Sequence, residues 1–259
     1  FWGLAPFYWM LVTALRDKRH TFDTTPWPTH VTLENFNDAL ATDKGNNFLG
    51  AIGNSLIISL TTTVLAVLVG VFTAYALTRL DFPGKGIITG VILAASMFPG
   101  IALVTPLFQL FGDLGWIGTY RAMIIPNISF ALPLTVYTLI SFFQQLPWEL
   151  EEAARVDGAT RGQAFRLVLL PLAAPAIFTT AIIAFITTWN EFMLARQLST
   201  TATEPVTVAI ARFSGPSAFE YPYAAIMAAG SLVTVPLIIM VLIFQRRIVD
   251  GLTAGGVKG

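Results

Sequence analysis

Five stretches of this chain contain no Asp, Glu, Lys or Arg: residues 51–78, 86–112, 122–148, 167–190 and 221–245. A helix needs roughly 20 apolar residues to cross about 30 Å of hydrocarbon, and each stretch is long enough. Backbone amides in lipid must find partners within their own segment, which selects helices. A sixth uncharged run, residues 1–15, is cut short by the start of the chain and reads as the end of a span. Only 12% of the 259 residues are charged, against about 25% in a soluble domain. That balance weighs against the alternative of a soluble protein with six buried helices. The expected fold is an all-α integral membrane protein, a single transmembrane domain over residues 1–259. Its six transmembrane helices are expected at about 1–15 (truncated), 52–78, 87–112, 122–145, 172–195 and 222–245, followed by a tail at 246–259.

Fifteen basic and fifteen acidic residues balance to zero net charge, so nothing points to nucleic acid as a partner. The absence of cysteine excludes disulfides and thiolate metal sites, and no metal site is expected. The first residue is Phe1, not Met, so a further N-terminal segment is expected ahead of it. Prolines interrupt several spans: Pro99 and Pro106 in the third, Pro126 and Pro133 in the fourth, Pro236 in the sixth. Each removes a helical N–H, so kinks that shape cavities are expected there. Ser96, Gln109, Asn127 and Ser129 lie near these positions, and two roles stay open for them: interhelical hydrogen bonding or lining a pathway.

An even number of spans puts both termini on one side. Basic residues divide eight against seven between the two faces, so they do not orient the chain. The loop at 147–171, between spans four and five, shares the side of the termini. Pro147 suits a helix start, and Glu149, Glu151 and Glu152 place negative charge at the positive end of the dipole. Ala153 and Ala154 offer a flat surface for close packing. Asp157-Gly158 marks the stop, where glycine takes a left-handed conformation at little cost. Thr160 and Gln163 have capping-box spacing and open a second helix, whose Phe165, Val168 and Leu169 form one apolar stripe. The expectation is a helix–turn–helix elbow with one arm exposed.

The pattern Glu152-Ala153-Ala154, Asp157-Gly158-Ala159, Phe165, Leu170-Pro171 and Pro175 resembles the EAA loop of ABC-importer permeases. Three further stretches resemble the carbohydrate-uptake branch, similar to the maltose and trehalose transporter permeases. These are Leu80-Asp81-Phe82-Pro83-Gly84-Lys85, Trp189-Asn190-Glu191-Phe192 and the tail from Gly251 to Gly259. The resemblance covers essentially the whole chain. It implies that the elbow is a cytoplasmic coupling element docked on an ATPase subunit. Glu152 would pair with a basic residue there, Ala153 and Ala154 would make the close contact, Gly158 would hold the elbow, Asp157 would belong to the same coupling set, and both termini would be cytoplasmic. It implies that Thr253, Gly255 and Lys258 of the tail reach the ATPases. The expected partners are a second, different permease subunit, two ATPase subunits and an extracytoplasmic sugar-binding protein. ATP and Mg2+ would sit on the ATPases, because this chain lacks a Gly-x-x-x-x-Gly-Lys-Ser/Thr loop and carries no cofactor of its own.

Span five raises a separate question. Glu191 is an ionisable residue in an apolar span, and with Trp189 and Asn190 it suits a hydroxyl-rich ligand. The competing reading is that it only braces helices. Asn127 is the remaining pathway candidate. The expected function is a non-catalytic permease subunit of a bacterial cell-membrane sugar importer, with a trehalose- or maltose-like disaccharide as substrate. The alternative is an ion-coupled secondary transporter of a small polar solute, for which Glu191 alone is a thin basis, since several buried acids and an inverted repeat would be expected. An intramembrane enzyme finds no dyad, because His20 and His30 both lie in the loop at 16–50.

Overall fold

The uncharged stretches set the helices. The computed structural model describes residues 2–41, 47–213 and 222–256, with side chains through residue 243. In chain order the helices are α1 (Ala5–Ala14), α2 (Glu34–Leu40), α3 (Phe48–Arg79), α4 (Lys85–Ser96), α5 (Val104–Asp113), α6 (Tyr120–Gln145), α7 (Glu149–Val156), α8 (Arg161–Ala164), α9 (Leu170–Trp189), α10 (Met193–Leu198), α11 (Val206–Ala211) and α12 (Tyr223–Gly256). Among the described residues the only β pairing is an isolated bridge between Arg16 and Val31.

Among the described residues, four segments are long and apolar enough to cross a membrane: Phe48–Arg79, Tyr120–Gln145, Arg161–Trp189 and Tyr223–Ile243. A fifth is bent, with Lys85–Ser96 and Gly100–Asp113 meeting at 88°. The ten-residue α1 lies where the end of the first span is expected. Helix α12 runs on past residue 245 to Gly256, so Thr253 and Gly255 sit on helical backbone, and Lys258 lies outside the described residues.

The 88° bend coincides with Pro99, whose ring disfavours helical backbone at the preceding residue. The other prolines leave their helices unbroken: Pro126 and Pro133 in α6, Pro175 in α9 and Pro236 in α12. Polar side chains close to the prolines bond back to their own helix. Ser96 donates to the Leu93 carbonyl at 2.6 Å, Asn127 to Met123 at 2.9 Å and Ser129 to Ile125 at 3.3 Å. This removes their donors from lipid without a partner helix.

The chain divides into two compact units. One comprises Phe1–Ile57, Phe108–Ala122 and Asn190–Met240. There Asn54 of α3 donates to the carbonyls of Ala202 and Glu204 at 3.1 and 3.0 Å, and accepts from the Tyr120 hydroxyl at 2.6 Å. The neighbouring Ser55 accepts from the Val206 amide at 2.8 Å. These two polar residues in an apolar helix thus hold the segment leading into α11. The loop after α1 is pinned by buried Arg16, which donates to the carbonyls of Asp23 and Thr25, and by Asn35, bonded to the Ala14 and Arg16 carbonyls.

The other unit comprises Ile58–Leu107, Met123–Trp189 and Val241–Gly259. Its core joins Val71 and Ala74 of α3, Leu139 and Phe143 of α6, Phe165 and Leu169, and Ala173 and Ala176 of α9. Helices α3 and α6 approach closely at Gly70, where an added Cβ would meet Thr135 Cγ2 at 2.5 Å. Small residues permit such approaches where no hydrophobic effect drives helices together.

Candidate functional site: the elbow between α6 and α9

Helix α7 begins with three carboxylates in its first turn and ends in a Schellman motif. Gly158 adopts φ +90°. Its N–H bonds the Arg155 carbonyl at 3.1 Å, and the Ala159 N–H reaches back to Ala154 at 3.0 Å. The two bonds satisfy carbonyls that the helix end leaves free. Two residues on, Thr160 and Gln163 form a reciprocal capping box: the Thr160 amide donates to Gln163 Oε1 at 2.8 Å, and the Gln163 amide donates to Thr160 Oγ1 at 3.3 Å. Helix α8 passes into a π-helical turn at Phe165–Leu169, where the Leu170 N–H bonds Phe165 five residues back. The wider turn precedes Pro171, which cannot donate to the ladder.

Glu152, Ala153, Asp157 and Gly158 are exposed, Ala154 is half-buried, and Val156 is 87% exposed. These residues share the outer side of the elbow. Phe165 and Leu169 of the predicted stripe are buried in the core, and Val168 is partly covered.

One buried polar cluster beneath the elbow was not legible in the sequence. Glu151, next to Glu152, is only 6% exposed and accepts a hydrogen bond from the Tyr75 hydroxyl at 3.2 Å. Arg79, one turn beyond Tyr75 on α3, is 7% exposed. It donates to the carbonyls of Phe143 and Leu146 at 3.1 and 2.6 Å and lies 4.5 Å over the Trp148 ring. The Tyr75 ring packs against Phe165 and Phe143, with centroids at 4.5 and 6.4 Å. The i, i+4 spacing of Tyr75 and Arg79 was the available signal, since it puts both on one face of α3.

The pathway candidates are dispersed. Trp189 is buried at the end of α9 and stacks on Phe185 at 5.5 Å, and Asn190 is exposed. Glu191 lies in the break before α10. Its carboxylate accepts from the Leu194 amide at 2.7 Å and the Ala195 amide at 3.0 Å, capping that helix, while its carbonyl accepts from the Thr207 hydroxyl at 2.7 Å. Asn127 is buried, and its amide is spent on its own helix.

Residues 66–253 match the family model for the binding-protein-dependent transport system inner membrane component. The chain belongs to this family. It is thus a multi-pass inner membrane component of a transport system, and its elbow lies within the matched region. Among its relatives is the trehalose transport system permease protein SugB of Mycobacterium tuberculosis, 47% identical over 259 residues, covering 100% of this chain and 93% of that protein. The trehalose/maltose transport system permease protein MalG of Thermococcus litoralis is 42% identical, covering 99% and 92%. A solved bacterial ABC transporter for import of the acidic polysaccharide alginate has a chain that superposes with a TM-score of 0.78 at 21% identity, over 95% of this component and 91% of that chain. At that identity the likeness speaks for the fold.

Proposed function

We propose that the chain is a permease subunit of an ATP-driven, binding-protein-dependent sugar importer, forming half of the translocation pathway. The observation that carries this reading is the exposed elbow, with Glu152, Ala153, Ala154, Asp157 and Gly158 on a short capped helix and turn. A surface of two carboxylates, Glu152 and Asp157, and small side chains fits a cleft that holds a basic residue. In this reading the elbow docks on a cytoplasmic ATPase subunit, and closure of two ATPases rocks the helices through it. The chain is non-catalytic, with ATP and Mg2+ held by those partners. A second, different permease subunit completes the pathway, and an extracytoplasmic binding protein delivers the sugar. The names of the relatives support a trehalose- or maltose-like disaccharide.

The reading counts six spans: the segment ending in α1, then α3, the bent pair α4–α5, α6, α8–α9 and α12. Both termini are then cytoplasmic, and the end of α12 that carries Thr253 and Gly255 is assigned to the ATPases. Trp189, Asn190, Glu191 and Asn127 are the candidates for the pathway or sugar contact in this reading: Asn190 is exposed, Trp189 and Asn127 are buried, and the Glu191 carboxylate caps α10.

The test is Glu152→Lys in the assembled importer. Sugar uptake by vesicles should be lost and the ATPase subunits should no longer copurify, with membrane insertion unchanged. Uptake at the normal rate would remove the coupling role.

A further inference from the structure

The elbow is joined covalently to α6 and to α9, yet the buried polar cluster beneath it belongs to α3. Tyr75 and Arg79 stand one turn apart at the end of α3. Tyr75 grips Glu151 in the first turn of α7. Arg79 grips the carbonyls of Phe143, in the last turn of α6, and Leu146, just beyond it, and stacks on Trp148. Neither charge is fully satisfied: Glu151 Oε2 and Arg79 Nε and Nη1 are buried without a hydrogen-bond partner. Buried charges hold this arrangement only while the surrounding packing keeps them in place, and each loses heavily if its remaining partner is removed. Phe165 and Phe143 supply that packing around Tyr75.

We infer that Tyr75, Arg79 and Glu151 are positioning residues that clamp the elbow to α3, so that displacement of α7 moves α3 as well as the two helices it is covalently joined to. The inference rests on the reading of the elbow as the ATPase contact. It assigns a role to the inward carboxylate, distinct from that of outward Glu152. Removing the clamp leaves the docking surface intact and lets the elbow move without carrying α3. ATP hydrolysis then continues with less sugar moved.

The experiment compares Tyr75→Phe, Glu151→Gln and their double variant in the full importer, reconstituted in vesicles with both permeases, the ATPases and the sugar-loaded binding protein. Hydrolysis and uptake are measured on the same vesicles, with Glu152→Lys run alongside. Sugar moved per ATP should fall about fivefold or more in Tyr75→Phe, the lower range for coupling between distant sites. Glu151→Gln keeps an acceptor for the Tyr75 hydroxyl, so it should fall less, and the double variant should be no worse than Tyr75→Phe alone, as expected for partners in one contact. A normal ratio in Tyr75→Phe overturns the clamp. So does loss of uptake and hydrolysis in proportion to the amount of assembled complex, which marks a merely structural role. If Glu152→Lys retains its ATPases and its uptake, the reading of the elbow fails instead. If Glu152→Lys loses them while the Tyr75→Phe ratio stays normal, the clamp alone fails.

Discussion

Glu151 and Glu152 have the same chemistry at adjacent positions and opposite surroundings. A helix turns about 100° per residue, so one carboxylate faces the protein and meets Tyr75 while the next faces outward. Sequence reasoning singled out Glu152 from its place in the motif; for Glu151, only the packing of α3 against α7 distinguishes the two. Gly158 was legible, because a stop after eight helical residues demands a left-handed residue. Nothing lies within 4 Å of an added Cβ there, so the penalty of a side chain is purely conformational. Gly158→Ala should therefore cost about 1–2 kcal/mol of local stability, read as lower uptake with normal insertion. Glu204 is another residue that tertiary contact redefines. It is buried beside Arg212, 2.7 Å away. Burial raises its carboxyl above the ordinary 4.5, outweighing the pull of Arg212 and Arg196 in the other direction. The native state thus holds the proton more tightly than the unfolded chain does. That stabilisation is complete below the ordinary value and is lost as pH rises through the raised one. Thermal unfolding in detergent should show Glu204→Gln gaining on the wild type as pH moves from acid to neutral. A constant difference across pH would contradict this.

The short helices depend on their ends. Helix α7 has eight residues, α8 four and α10 six, and such lengths are marginal without caps. Two of these caps were readable: the Gly158 stop and the Thr160–Gln163 spacing. The third was not, because Glu191 caps α10 only after the chain breaks at Asn190, and an apolar run gives no warning of that break. Thr160→Ala should cost about 1 kcal/mol of local helix stability. Hydrogen exchange over residues 160–166 should accelerate, while exchange in the core of α9 stays unchanged. The prolines make the same point from the other side. Each removes one backbone hydrogen bond, yet among the described residues the one span that is broken and bent, by 88°, breaks at Pro99. Helix α4, leading into that bend, has no buried residue, whereas α6 is held along its length by Met123, Ala131, Val136, Leu139 and Phe143. Packing along α6, which sequence does not display, accompanies an unbroken helix there, whereas Pro236 leaves α12 unbroken with exposed Val235, Ile238 and Ile239 around it.

At the scale of the whole chain, orientation is the property that basic-residue counting left open, with eight residues against seven. The absence of cysteine makes it directly measurable. Single cysteines at exposed Val156 and Trp27 should react with a membrane-impermeant thiol reagent from opposite faces of sealed vesicles, Val156→Cys from the cytoplasmic face. Labelling of both from the same face would contradict the proposed six-span arrangement. The helical membrane architecture and the elbow at 147–171 were determined by the sequence alone. Uncharged runs of that length have few alternatives in lipid, and capping chemistry acts within a few residues. The EAA pattern, confined to neighbouring residues, likewise pointed to the family. Only tertiary structure decided which of two adjacent glutamates is buried, that Glu191 caps a helix, and that Asn54, Ser55, Tyr75 and Arg79 join distant segments. Those roles depend on side chains meeting across residues far apart in sequence, and no local pattern encodes such meetings.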